Sequence, residues 1–99
     1  MKIFQGRPVR QTQYQGRQVS YVDDQLIVKL KPEFRESQQA RESVLNALPQ
    51  NSVLQNDFDR TGMAVFVLPE SFDPLEVAKN LSEQECVQFA EPNFLESAS

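Results

Sequence analysis

Cys86 is the strongest nucleophile this chain offers, and the sequence contains no histidine to act as its base. Acyl-transfer relays of the Ser–His–Asp or Cys–His kind need an imidazole beside the nucleophile, so neither can be assembled. The neighbours of Cys86 are Glu83, Glu85 and Val87, which are acidic or apolar and would not stabilise a thiolate. They favour reading Cys86 as a small, mostly buried residue at the start of a strand. Metal ligation would fall to carboxylates alone. Asp23 and Asp24 are adjacent and Asp57 and Asp59 flank Phe58. Neither pair has calcium-loop spacing, and both read as solvated turn acids. The three glycines, Gly6, Gly16 and Gly62, make no G-x-G or Walker pattern that could cradle a phosphate. A domain this small, with no evident cleft, is a poor home for the paired carboxylates of glycoside chemistry. The expectation is a protein that is not an enzyme, with no catalytic residue, no metal and no cofactor.

What remains is recognition, and the end of the chain is its best candidate. Cys86-Val87-Gln88-Phe89-Ala90 reads as a short strand over residues 87–90, followed by Glu91-Pro92-Asn93-Phe94-Leu95 and then Glu96-Ser97-Ala98-Ser99. Pro92 fixes its own φ and pushes Glu91 toward an extended conformation. It also lacks an N–H and so weakens any internal ladder at that point. The strand is expected to run into a stiff, extended tail over residues 91–99 that can be offered to another protein.

The elements that must carry this tail alternate along the chain. Residues 1–20 are rich in Gln, Gly and Arg and form either a loose arm or an extra hairpin on the sheet edge. Residues 18–22 could form a strand. The first clear strand is 25–31, with Leu26, Val28 and Leu30 on one face and Ile27, Lys29 and Lys31 on the other. A helix follows over residues 37–48, with Ser37 as N-cap, Pro49 beyond its end and a stripe of Ala40, Val44, Ala47 and Leu48. Strands at 52–58 and 62–68 flank the turn Asp59-Arg60-Thr61-Gly62, where glycine supplies a positive φ. The second of these strands is apolar on both faces, which predicts a central or covered position. A second helix begins at Asp73 as N-cap, with Pro74 at N1, Glu76 in a capping-box position and Phe72 placed to staple onto Val77. It runs to about residue 83.

This order predicts an α+β, ferredoxin-like β-α-β-β-α-β sandwich, an antiparallel sheet with two helices on one face. The other face is then uncovered, and Ile27, Phe66 or Phe89 on it would make a binding surface. A one-residue slip inverts which alternate residues point outward.

Charge narrows the partner. Residues 1–22 carry Lys2, Arg7, Arg10 and Arg17 and no acid, whereas residues 32–99 carry four basic residues against twelve acidic ones. The basic residues read as a polar surface segment, and the acidic body would repel a nucleic-acid backbone. RNA-recognition modules share this strand order but need aromatics at fixed positions on the central strands. Here the second hairpin strand offers only Phe66. The longest apolar run, residues 63–68, is far below the ~20 residues of a membrane span. No signal peptide is evident, and one cysteine fits a reducing compartment, which suggests a cytoplasmic protein if the chain is complete.

Two stretches carry a family resemblance. Tyr21-Val22-Asp23-Asp24-Gln25-Leu26-Ile27-Val28-Lys29-Leu30-Lys31-Pro32 is similar to the opening strand of the propeptide domains of subtilisin-like serine proteases. Phe89-Ala90-Glu91-Pro92-Asn93-Phe94 resembles the strand and exit peptide that close them. The resemblance spans about residues 21–96. It implies a protease inhibitor, an intramolecular chaperone, or both. The open sheet face would pack on two surface helices of the protease, and the tail would enter the active-site cleft by β-augmentation. It further implies that Glu91 and Asn93 stand where the family has an acid-x-acid pair facing helix N-termini, Asn93 keeping the acceptor but losing the charge. The partner is then a subtilisin-like serine protease, either its own catalytic domain or one met in trans, with no nucleic acid and no membrane. The division implied is an arm or hairpin at 1–20, the propeptide-like domain at 21–95 and a flexible tail at 96–99. The alternative is a non-catalytic regulatory or assembly domain that dimerises through the open face.

Overall fold

A computed structural model describes residues 3, 4 and 7–95. In chain order the elements are β1 (Ile3–Phe4), β2 (Arg7–Tyr14), β3 (Arg17–Leu30), α1 (Gln38–Ala47), β4 (Val53–Asn56), β5 (Met63–Val67), α2 (Pro74–Leu81) and β6 (Val87–Leu95), with one turn of 3-10 helix at Pro32–Phe34. β3 is the spine of the sheet. Along one side it pairs antiparallel with β6, from Ser20↔Leu95 to Leu30↔Val87. On its other side its second half pairs with β5 and its first half with β2. β4 adds outside β5. The core sheet therefore runs β6-β3-β5-β4, all antiparallel, which is the ferredoxin-like order.

Both helices begin where the capping grammar places them. The Ser37 hydroxyl accepts from the Ala40 N–H at 3.2 Å, and the Asp73 carboxylate accepts from the Leu75 N–H at 3.0 Å, with Pro74 in the first turn. Their apolar stripes meet a single face of the sheet. Ala40 and Val44 of α1 and Val77, Ala78 and Leu81 of α2 share one core with Leu26, Val28, Leu30, Ala64, Phe66 and Val87. α2 stops at Leu81, two residues before the expected end, where Ser82 turns back to donate its hydroxyl to the Ala78 carbonyl at 2.8 Å. The β4–β5 turn is held by Asp59, whose carboxylate accepts from the Thr61 and Met63 N–H groups at 2.8 and 3.1 Å. Gly62 closes that turn at φ 82°, and a Cβ there would lie 2.9 Å from the Arg35 Cγ.

Two expectations are corrected here. The separate strand segments at 18–22 and 25–31 are one fourteen-residue strand. Where β6 advances from Phe94 to Pro92, β3 advances from Tyr21 to Leu26, so the extra residues form a bulge. Asp23 and Asp24 lie in that bulge, not in a solvated turn. They pair with Arg10 at 2.6 Å and Arg7 at 2.7 Å, so these two arginines are tied down within the domain. β2 and β3 join through Gln15 and Gly16 at φ 52° and 78°, the two positive φ values of a tight hairpin turn.

Candidate functional site

Strand alternation and register define the face of the sheet that the helices leave open. Core residues Leu26, Val28, Leu30, Ala64 and Phe66 point to the helices. Their alternates point away, and the pairs Lys29↔Phe89, Ile27↔Glu91, Ile27↔Val65, Gln25↔Val67 and Val53↔Val67 lie across from one another on that face. Ile27, Val65, Val67 and Phe89 are half-buried, and Val53 is 59% exposed. The result is an apolar strip across four strands with Glu91 and Lys29 among its charges.

Within this strip runs a chain of side-chain amides. Asn93 Nδ2 donates to Gln25 Oε1 at 2.8 Å, and Gln25 Nε2 donates to Gln55 Oε1 at 3.0 Å. Gln25 is 8% exposed and is a buried polar side chain on an otherwise apolar part of the strand. Both ends of its amide are satisfied, as burial demands.

The expected site residues divide into three groups. Ile27 and Phe89 lie on the open face. Phe66 does not: it is 1% exposed within the core, in register with Leu26 and Leu54, and meets the Phe58 ring edge-on with centroids 6.2 Å apart. The one-residue alternation of β5 sends Met63, Val65 and Val67 outward instead. The expectation that the chain leaves the sheet after Ala90 also fails, because Glu91, Pro92, Asn93, Phe94 and Leu95 continue β6. Pro92 is buried and in register with Leu26. Among the described residues β6 pairs with β3 alone, and an edge strand is where a proline is tolerated. Glu96, Ser97, Ala98 and Ser99 lie outside the described residues.

The end of β6 is gripped by the N-terminal hairpin. The Phe94 ring lies 5.5 Å from that of Tyr14 on β2 and 6.1 Å from that of Tyr21 on β3, the latter edge-on. The Tyr21 hydroxyl donates to Asp73, the cap of α2, at 2.9 Å. Arg10 reaches the second oxygen of Asp73 at 3.5 Å while pairing with Asp23. Burial first, and the bond to Asp73 second, push the Tyr21 phenol well above its usual range. The Asp23 carboxylate raises the already high pKa of Arg10.

Gln25, Gln55, Tyr14 and Tyr21 were missed as site residues. The signal for Gln25 was available, since it begins an apolar-alternating strand on the same face as Ile27. Nothing local pointed to Gln55 or Tyr14, whose partners lie far away in sequence. A shallow concavity elsewhere is lined by Arg35, Arg41, Arg60, Glu33, Glu36 and Phe58. Its mixed charge fits a solvated dip between loops. Among the described residues no three metal-ligating side chains cluster, and no helix is long and apolar enough to cross a membrane.

Compared with known families, residues 7–93 match the model of the fervidolysin N-terminal prodomain. The match takes in the N-terminal hairpin as well as the ferredoxin-like core. No curated protein and no solved structure matches the chain significantly.

Proposed function

The chain belongs to the fervidolysin N-terminal prodomain-like family of subtilase propeptide domains, and from that premise we propose how it engages a subtilisin-like serine protease. As an inhibitor, a folding chaperone or both, it docks by its open sheet face, on its own catalytic domain or in trans. The observation that carries this reading is the open face itself. Ile27, Val65, Val67 and Phe89 stand side by side, half-buried and without a second layer among the described residues, beside Glu91. An apolar strip of this kind with a polar border is what a protein partner covers.

The way β6 is held refines the role of the tail. Peeling residues 91–95 from β3 would expose buried Pro92 and separate Phe94 from two tyrosines. The segment that enters the active-site cleft therefore begins after Leu95, with Glu96, Ser97, Ala98 and Ser99. Glu91 and Asn93 act from the sheet, accepting hydrogen bonds from amides at protease helix N-termini. A carboxylate so placed contributes about 0.3–1 kcal/mol when exposed.

The test is inhibition of a panel of subtilisin-like proteases by the protein and by Ile27→Asp and Phe89→Asp. Each substitution is expected to weaken inhibition at least ~10-fold, because a charge is buried unpaired at the contact, while circular dichroism stays unchanged. Full inhibition by both variants refutes docking through this face. If no protease is inhibited and the protein instead forms a dimer that both substitutions dissociate, the assembly-domain reading replaces this one.

A further inference from the structure

Asn93 keeps an acceptor but lacks the charge of an acid at that position, and the structure offers a reason on the opposite strand. Gln25 Oε1 faces Asn93 and accepts from its Nδ2 at 2.8 Å. In this arrangement the side chain at 93 donates toward the sheet, which a carboxylate cannot do. Turning the Gln25 amide around requires Gln55 to turn with it, because Gln25 Nε2 donates to Gln55 Oε1 at 3.0 Å. Being 8% exposed, it has little water to fall back on. The senses of the three amides are thus coupled.

We infer that Gln25 is a positioning residue for the docking surface. By holding Asn93 Nδ2, it turns Asn93 Oδ1 away from itself and presents it as a neutral acceptor for N–H donors of the protease. Among the described residues no protein donor reaches Oδ1, so that atom is available. The sense of the chain also leaves Gln55 Nε2, at the β4 end of the same face, as a donor. The open face thus carries an oriented polar axis, with an acceptor at the β6 edge and a donor at the β4 edge, on either side of the apolar strip. This inference rests on the docking reading given above and adds the residue that positions Asn93 within it.

The test uses the parent protein, a subtilisin-like protease that it inhibits, and four variants: Gln25→Met, Gln25→Glu, Asn93→Ala and the double Gln25→Met/Asn93→Ala. Methionine keeps the shape of Gln25 and removes both polar ends. Gln25→Met and Asn93→Ala are each expected to weaken inhibition about 10-fold, the loss of one buried hydrogen bond. The double variant is expected to be no weaker than either single one, because Gln25 acts through Asn93. Gln25→Glu still accepts from Asn93 and is expected to stay within about threefold of the parent protein, with Gln55 turning to donate. Should Gln25→Met fail to fold, the Glu variant and the hydrogen exchange of the Asn93 side-chain amide in the free protein still decide the matter. That amide is expected to be protected in the parent and in Gln25→Glu. Multiplicative losses in the double variant, or an unprotected Asn93 amide in the parent, overturn the inference while leaving docking intact. Failure of the parent protein to inhibit any protease of the class overturns both.

Discussion

Replacing Tyr21 with Phe removes one hydroxyl and leaves the ring, and its effect can be worked through from the structure. The ring is fully buried and its hydroxyl donates to Asp73 Oδ1 at 2.9 Å. A hydrogen bond to a charged acceptor contributes roughly 1.5–3 kcal/mol. Asp73 keeps the Leu75 N–H at 3.0 Å and Arg10 at 3.5 Å, so it is not left bare. The loss belongs at the low end, about 1.5 kcal/mol at pH 7. The pH dependence is the sharper part. The phenol of Tyr21 is raised far above its usual value by burial and by Asp73, so the folded state retains a proton that the unfolded chain gives up near pH ~10. The stabilisation is complete below pH ~10 and is lost above it at about 1.4 kcal/mol per pH unit, until the folded-state phenol itself ionises. Tyr21→Phe carries no such proton. In urea unfolding followed by circular dichroism, the parent should lead by about 1.5 kcal/mol at pH 7, and that lead should vanish near pH ~11. A difference that stays constant from pH 7 to 11 would refute the claim that Tyr21 is buried as a neutral donor to Asp73.

Two further substitutions test the supports of the site. Phe94→Ala removes the half-buried ring between Tyr14 and Tyr21 and should cost about 2 kcal/mol. It should also raise hydrogen exchange along the end of β6 while the Val87 end stays protected, and uniform exchange along β6 would contradict it. Gly62→Ala puts a Cβ 2.9 Å from Arg35 Cγ and 3.3 Å from the Leu30 carbonyl at φ 82°. A loss of about 1–2 kcal/mol is expected in thermal unfolding, and an unchanged midpoint would show that the turn yields without strain.

The parts of the fold legible in the sequence were those written locally. Ser37, Asp73 and Pro74 announce their helices because a cap is a contact within three residues. Alternation in Leu26-Ile27-Val28 announces a strand because the pleat is a local property. What was not legible depended on partners distant in sequence. Asp23-Asp24 looked like exposed turn acids until Arg10 and Arg7 were brought across from β2. Pro92 looked like the end of a ladder until the sheet placed it on an edge opposite Leu26. Phe66 and its neighbours on β5 are apolar on both sides, so nothing in the pattern chose the buried set. The open face was half legible for the same reason, with Ile27 and Phe89 readable from alternation and Gln25 overlooked because a lone glutamine has no local partner.

The pairing of β6 with β3 also carries a kinetic consequence. Partners such as Leu30↔Val87 and Ser20↔Leu95 are separated by most of the chain, so joining β6 to β3 closes the largest loop in the sheet. Until that closure, Ile27 has no Glu91 opposite it, Gln25 has no Asn93, and the apolar strip lacks Phe89. The complete face exists only once β6 has joined β3, although the β3–β5 pairing alone brings Ile27, Val65 and Val67 together. A partner covering this face would hold β6 against β3 and slow its reopening, which would link complex lifetime to unfolding rate.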